Sequence, residues 1–401
     1  MTLTNTSQQF GTLSKTFHWL TAIGIIALMP LGIIANEMPY ETSEQLADKA
    51  WMFSLHKTVG VLVFFIALAR IAWALTQSKP GQLHADRKVE TLAAETVHWL
   101  LYSSLVVVPL SGWIHHAATT GFAPIWWPLG QDLPLVPKSE SVAAVSAGAH
   151  WVLTKVLGLA LLLHIAGALK HHVIDKDATL RRMWFGQTEV AQSTTPHSHA
   201  RPMTLALALW AVALSVGAAF GAYAPHGGPT QSAALEQVQS DWQVADGTLA
   251  ITVTQLGSEV TGSFADWTAA IRFDETIQTG SAGSAEVTIA IGSLTLGSVT
   301  GQAMGPDYFN TADFPTATFM ADIVPVVDGY EAQGTLTIKD QSIPLTLPFG
   351  LSLDGDTAWM VAETTLDRRS FGIGDNMADE SSLKFNVGVK IELMATRARA
   401  E

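Results

Sequence analysis

Cysteine is absent from all 401 residues. That excludes disulfides, thiolate-ligated haem, cysteine-held iron–sulfur clusters and covalent c-type haem, which needs C-x-x-C-H, so any iron here is held by histidine or methionine. Charge is sparse as well: 14% of residues are Asp, Glu, Lys or Arg while 48% are hydrophobic, which points to a membrane protein for at least part of the length. The charge is unevenly spread, net +1 over residues 1–200 and net −14 over residues 201–401. Two differently built halves are implied, and the acidic one argues against nucleic acid as a partner. The start, MTLTNTSQQFGTLSK, also lacks the basic flank of a secretory signal, so the first apolar run is expected to be retained.

Four apolar runs occupy the first half, at about 16–35, 53–75, 96–117 and 148–172. Each is long enough as a helix to cross roughly 30 Å of hydrocarbon. The connector 36–50 is acidic, and 76–95 carries Lys79, Arg87 and Lys88. The connector 119–147 is rich in Pro, Gly and Trp, and Lys170, Lys176, Arg181 and Arg182 come after the fourth run. Basic connectors stay in the cytoplasm, which predicts a cytoplasmic N-terminus and an up-down four-helix bundle.

Histidines are the chemistry-bearing residues in these runs. His150 and His164 are fourteen residues apart on the fourth run, hence on nearly one helix face and about 21 Å apart in depth. His18 enters from the cytoplasmic side and matches the level of His164; His56 begins its helix on the periplasmic side and matches His150. Two imidazoles per iron would hold two haem b groups, one above the other, with no open coordination position. The plainer alternative is that these histidines only hydrogen-bond across helices. His98, His115 and His116 have no unused partner at matching depth. Arg70, in LARIAW, faces two readings, a guanidinium paired with a haem propionate or a side chain snorkelling to the cytoplasmic surface.

Residues 13–186 resemble the bacterial cytochrome b561 family, through FHW at His18, SLHKTVG at His56, AHW at His150, LLHIAGAL at His164 and the trailing KHHVIDKDATLRRMW. That resemblance implies a four-helix, quinone-linked dihaem membrane protein with those four histidines as iron ligands. His171 and His172 match it too, as quinone or propionate contacts or as interfacial residues.

The stretch QTEVAQSTTPHSHAR reads as a polar linker in which His197 and His199 are not given a metal role. A fifth apolar run, 203–224, either tethers the residues beyond it or is cleaved as a signal after Ala222-Tyr223-Ala224; retention is the expectation, because its basic flank is weak. From 235 to 396 short alternating runs appear, such as Leu249/Ile251/Val253 and Val387/Val389/Ile391/Leu393, separated by Gly, Asp and Asn. This is the pattern of an antiparallel barrel whose interior is either packed or left open for one slender ligand.

Residues 242–394 resemble the YceI family of lipocalin-like barrels, through GSEVTGSF, PDYFNTADFPTATFMA, GTLTIKDQSIPLTL and RRSFGIG. The resemblance implies a periplasmic site for long isoprenoid chains such as those of quinones, with Phe309, Phe314, Phe319 and Phe371 as candidate liners. One departure is IKDQSIP, where a glycine is usual and Asp340 is expected to take the turn geometry.

The expectation is therefore a multidomain, multi-pass protein of a bacterial inner membrane. An all-α transmembrane dihaem bundle (10–186), a linker (187–202) and a fifth span (203–224) lead to an all-β antiparallel lipocalin-like barrel (235–396) in the periplasm. The bundle is read as exchanging electrons with quinone, with superoxide or a periplasmic redox protein as donor, and the barrel as binding an isoprenoid quinone or lipid. The alternatives are a membrane-tethered lipid carrier, or a cytochrome b subunit that docks a separate dehydrogenase.

Overall fold

The computed structural model describes residues 2–81, 83, 86–119, 122–186, 188, 200–224, 233–236 and 240–398. His197 and His199 lie outside these. The chain divides into two compact units, one of residues 1–38, 51–119 and 124–225 and one of residues 39–50, 120–123 and 226–401.

Among the described residues five helices are long and apolar enough to cross a membrane: α1 (Thr12–Glu37), α2 (Ser43–Leu75), α3 (Lys88–Ala118), α4 (Glu140–Lys170) and, after the short α5 (Thr179–Met183), α6 (Ala200–Ala219); all belong to the first unit except the opening turns of α2. Their outer faces stay apolar, with Ile23, Ile33, Phe65, Leu162, Leu163 and Leu207 all exposed. Water would penalise such a surface at about 25 cal/mol per Å², whereas lipid tails do not. α2, α3 and α4 begin well before the apolar runs suggest, because first turns containing Glu44, Glu90 and Glu140 extend them. Hydropathy marks the hydrocarbon crossing, while helix propensity and capping set the ends: Ser139 Oγ accepts from the Val142 N–H at 3.5 Å.

Close backbone packing joins α3, α4 and α6. Leu100, Leu157, Ala160, Ala206 and Trp210 form their shared core, and the Trp210 indole donates to Ser103 Oγ at 2.9 Å. The Ala222 carbonyl lies against Gly148, where a Cβ would come within 2.0 Å. By contrast α1 meets its neighbours through side chains over glycine, Val63 against Gly24 and Met29 against Gly158.

The second unit is an antiparallel barrel of β1 (Trp242–Gln255), β2 (Ser258–Phe264), β3 (Trp267–Phe273), β4 (Gly283–Ala290), β5 (Leu294–Thr295), β6 (Thr316–Val326), β7 (Gly329–Ile338), β8 (Gln341–Asp354), β9 (Thr357–Asp367) and β10 (Asn386–Arg397). Eight strands close the ring in the order β1-β10-β9-β8-β7-β6-β4-β3, sealed by Trp242 opposite Ile271. The far half of β1 turns back on β2 through Leu256 and Gly257, both at positive φ as a two-residue hairpin requires. Pro344 and Pro348 sit in the half of β8 that pairs only with β7, where a missing N–H breaks no ladder. In the β7–β8 turn the left-handed position falls on Lys339 (φ 57°) and not on Asp340. Lys339 is anchored there by its ammonium, which donates to the Gly372 carbonyl at 2.9 Å.

Candidate functional sites

Inside the bundle the histidines gather at two levels. At the first, the His18 ring (α1) lies 6.2 Å from that of His164 (α4), centroid to centroid, a gap that accommodates one metal ion with bonds of about 2 Å on each side. Arg70 (α2) reaches the same level: its guanidinium donates to Thr21 Oγ1 at 2.6 Å, lies 3.3 Å from His18 Nδ1, and sits 5.4 Å over the Tyr102 ring. None of these partners is anionic. The side chain is turned inward rather than snorkelling. His98 (α3) belongs to this level too, its ring 5.1 Å from His164. Depth counted from a span that starts near Thr96 leaves it without a partner; α3 begins instead at Lys88, and ten residues of helix, about 15 Å, precede His98. Although it lies against another ring, His98 is exposed, so it faces open space within the bundle.

The second level has a different construction. His150 Nδ1 is 2.9 Å from the Val108 carbonyl of α3, so Nδ1 carries the proton and Nε2 keeps a free lone pair, the tautomer a metal ligand needs. Ser111 Oγ is 3.3 Å from the same nitrogen. A Cβ on Gly112 would stand 3.0 Å from the His150 ring, and one on Gly32 would stand 2.8 Å from that of His56. Each histidine therefore occupies a seat left vacant by a glycine of the preceding helix. His56 has the Leu28 carbonyl as its backbone partner, yet its buried Nδ1 completes no hydrogen bond of good geometry. Leu28 stands four residues before Gly32 as Val108 does before Gly112, and a proline falls between in both, Pro30 and Pro109. Sequence reasoning missed these seats, although the paired strings MPLG and VPLSG carry the signal.

Haem is the group this donor set suits: imidazoles from different helices at each level, glycine seats beside His56 and His150, and open space at His98. Two other described histidines make cross-helix or loop contacts. His115 Nδ1 is 2.8 Å from the Ala143 carbonyl, tying α3 to α4. His171 is held on both ring nitrogens by carboxylates, Nδ1 at 2.6 Å from Asp177 and Nε2 at 3.1 Å from Glu90. Lys170 also pairs with Glu90 and Asp175 there, so this cluster is a clamp between α3 and the π-turn His171–Asp175. His172 is exposed.

The barrel encloses a cavity of about 280 Å³. The alternating residues of β1, β8 and β10 form its wall, with Phe309, Phe319 and Phe371 among the liners and Phe314 outside the lining. Phe371 comes three residues after Arg368, a guanidinium only 3% exposed. All of its N–H vectors point at backbone oxygens: Nε at Lys384, Nη1 at Ile373 and Gly374, Nη2 at Met377 and Leu383, at 2.5–3.1 Å. Burial holds the Tyr308 phenol, another liner, above its ordinary pKa.

Comparison with known proteins finds a separate match for each part of the chain. Residues 9–186 match the family profile "Prokaryotic cytochrome b561", and residues 239–395 match "YceI-like domain". Cytochrome b561 homolog 2 of Escherichia coli K12 is 32% identical over 192 residues, 46% of this chain and 95% of that protein. The probable superoxide oxidase CybB of Yersinia pestis is 23% identical over 177 residues, 44% of this chain and 96% of that one. Among solved structures, Burkholderia cenocepacia BcnA aligns at 28% identity and a TM-score of 0.37, covering 39% of this chain and all of BcnA. A polyisoprenoid binding domain from Saccharophagus degradans aligns at 16% identity and a TM-score of 0.31, covering 40% of this chain and all of that domain.

Proposed function

Since the chain belongs to the cytochrome b561 family, we propose that residues 10–186 form a dihaem electron-transfer unit that exchanges electrons with the quinone pool, and that residues 235–396 bind an isoprenoid quinone or lipid. His18 and His164 hold one haem b on the cytoplasmic side, His56 and His150 the other on the periplasmic side. Bound by these residues, haem b would supply one-electron transfer. The protein's own part is to fix those rings. Val108 sets the His150 tautomer, Gly32 and Gly112 leave the ring volumes free, and Arg70 supplies a permanent positive charge suited to a propionate. The observation that carries this reading is the pair of glycine seats at one level beside a His18–His164 pair at the other.

The basic connectors after α2 and α4 support a cytoplasmic N-terminus and a periplasmic barrel. The packing of α6 on α3 and α4 supports its retention as a tether. Superoxide is the leading candidate donor, as the name of the Yersinia relative suggests for that protein. Two superoxide anions would each give up one electron and leave as O2, and one quinone would take both electrons and two protons. The apolar wall of the barrel supports an isoprenoid chain as its occupant. A pyridine-haemochrome assay on the purified full-length protein tests the core of this reading. Two haems per chain are expected; a haem-free protein overturns it and leaves a tethered lipid binder.

A further inference from the structure

The barrel cavity is largely apolar, and its few polar liners restrict the ligand. This inference rests on reading the barrel as an isoprenoid site. Strand β1 runs the length of the wall, about 40 Å of extended chain. It begins at Trp242, 2% exposed among Ile271, Phe273, Leu351 and Leu393, and ends at Gln255, which bridges Leu383. Leu383 packs with Tyr308, and Tyr308 Oη accepts from Gln302 Nε2 at 2.9 Å, which leaves its own O–H to donate. Arg368 bonds the Leu383 carbonyl from the same end. Gln255, Gln302, Tyr308 and Arg368 thus form a polar collar at one end of a largely apolar cavity, with Thr364 as a further polar liner.

Two of them decide the chemistry. Gln255 is 4% exposed and its Oε1 is buried without a hydrogen-bond partner. An orphaned acceptor in an apolar wall costs about as much as a lost hydrogen bond until a donor reaches it. Arg368 is the cation of the collar, and its five N–H groups are all engaged by backbone carbonyls. It has none left for a phosphate.

We propose that the collar recognises a neutral isoprenoid bearing a hydroxyl headgroup, with the ligand O–H donating to Gln255 Oε1, and that it discriminates against isoprenyl ethers and diphosphates. A quinol or a polyprenol supplies that donor. An ether brings only lone pairs toward Gln255, and a diphosphate brings buried charge without a free cation to meet it.

The test uses immobilised full-length protein in detergent and measures retained ligand by mass spectrometry. The probes are geranylgeraniol, its methyl ether, its diphosphate, and a ubiquinol with the same tail beside its bis-methyl ether. Wild type should retain a free hydroxyl roughly tenfold better than the matching ether or diphosphate. Comparing the alcohol with the ubiquinol identifies which source of hydroxyl the collar prefers. Gln255→Met keeps the volume and removes the acceptor; it should bring alcohol and ether to equal retention while changing ether retention less than about twofold. Equal wild-type retention of hydroxyl and ether, tightest retention of the diphosphate, or an equal loss of both alcohol and ether in Gln255→Met overturns the headgroup assignment and leaves isoprenoid binding intact. No retention of any probe overturns the isoprenoid reading and this inference with it.

Discussion

Replacing Arg368 by Met removes five hydrogen bonds at once and leaves five carbonyls, those of Lys384, Ile373, Gly374, Met377 and Leu383, facing an aliphatic chain. Each bond from a charged donor contributes about 1.5–3 kcal/mol, but water re-solvates part of the loop and the terms do not add. A loss of about 3–5 kcal/mol is the expected net, comparable to removing one partner of a buried ionic contact. For a domain of this size each kcal/mol moves the midpoint by about 2–4 °C, so the barrel should melt roughly 6–20 °C earlier. Arg368→Lys offers three donors on a point charge in place of a planar fork and should recover about half of that. Far-UV circular dichroism of the full-length protein in detergent reads the β-transition, and an unchanged Soret band controls for the helical unit. A shift below about 2 °C for Arg368→Met would refute the idea that this one side chain organises residues 371–385.

Three further outcomes are expected. His164→Ala should lose one haem of two in a pyridine-haemochrome count while the His56/His150 site stays occupied; retention of both contradicts the pairing. Gly112→Val should displace the His150 ring, since even a Cβ stands 3.0 Å from it, and should weaken the periplasmic-side Soret contribution; wild-type haem content at both levels would remove the seat from the account. Tyr308 supplies the pH test: its folded pKa is raised above the unfolded value by burial, so its stabilising contribution is complete below the ordinary tyrosine range and is lost as pH rises through the raised value. Tyr308→Phe should flatten that alkaline limb of the barrel's melting profile, and an unaltered limb would assign it to other groups.

Hydropathy and period make the five spans and the barrel readable in advance, because lipid demands long uninterrupted apolar helices and a closed sheet demands alternation. The ends of the helices are less legible, since Glu44, Glu90 and Glu140 sit in first turns that hydropathy treats as connectors. The same blind spot sets His98 too shallow. The role of Arg368 is hidden differently. RRSFGIG can be seen as a recurring string, but the carbonyls that saturate the guanidinium come from residues 373–384, and only the folded loop brings them together. Gln255 carries no local signature at all; its significance is the absence of a partner, which a sequence does not display.

The two histidine levels are made of unlike material. One is bordered by Arg70, Thr21 and a third imidazole, the other by a main-chain carbonyl, the Ser111 hydroxyl and bare glycine. Hydrogen bonding, burial and nearby charge tune a haem's midpoint, so two stations built this differently would hold an electron with unequal grip. A redox titration of the whole molecule would then resolve into two steps, and an electron in transit would have a preferred stopping place.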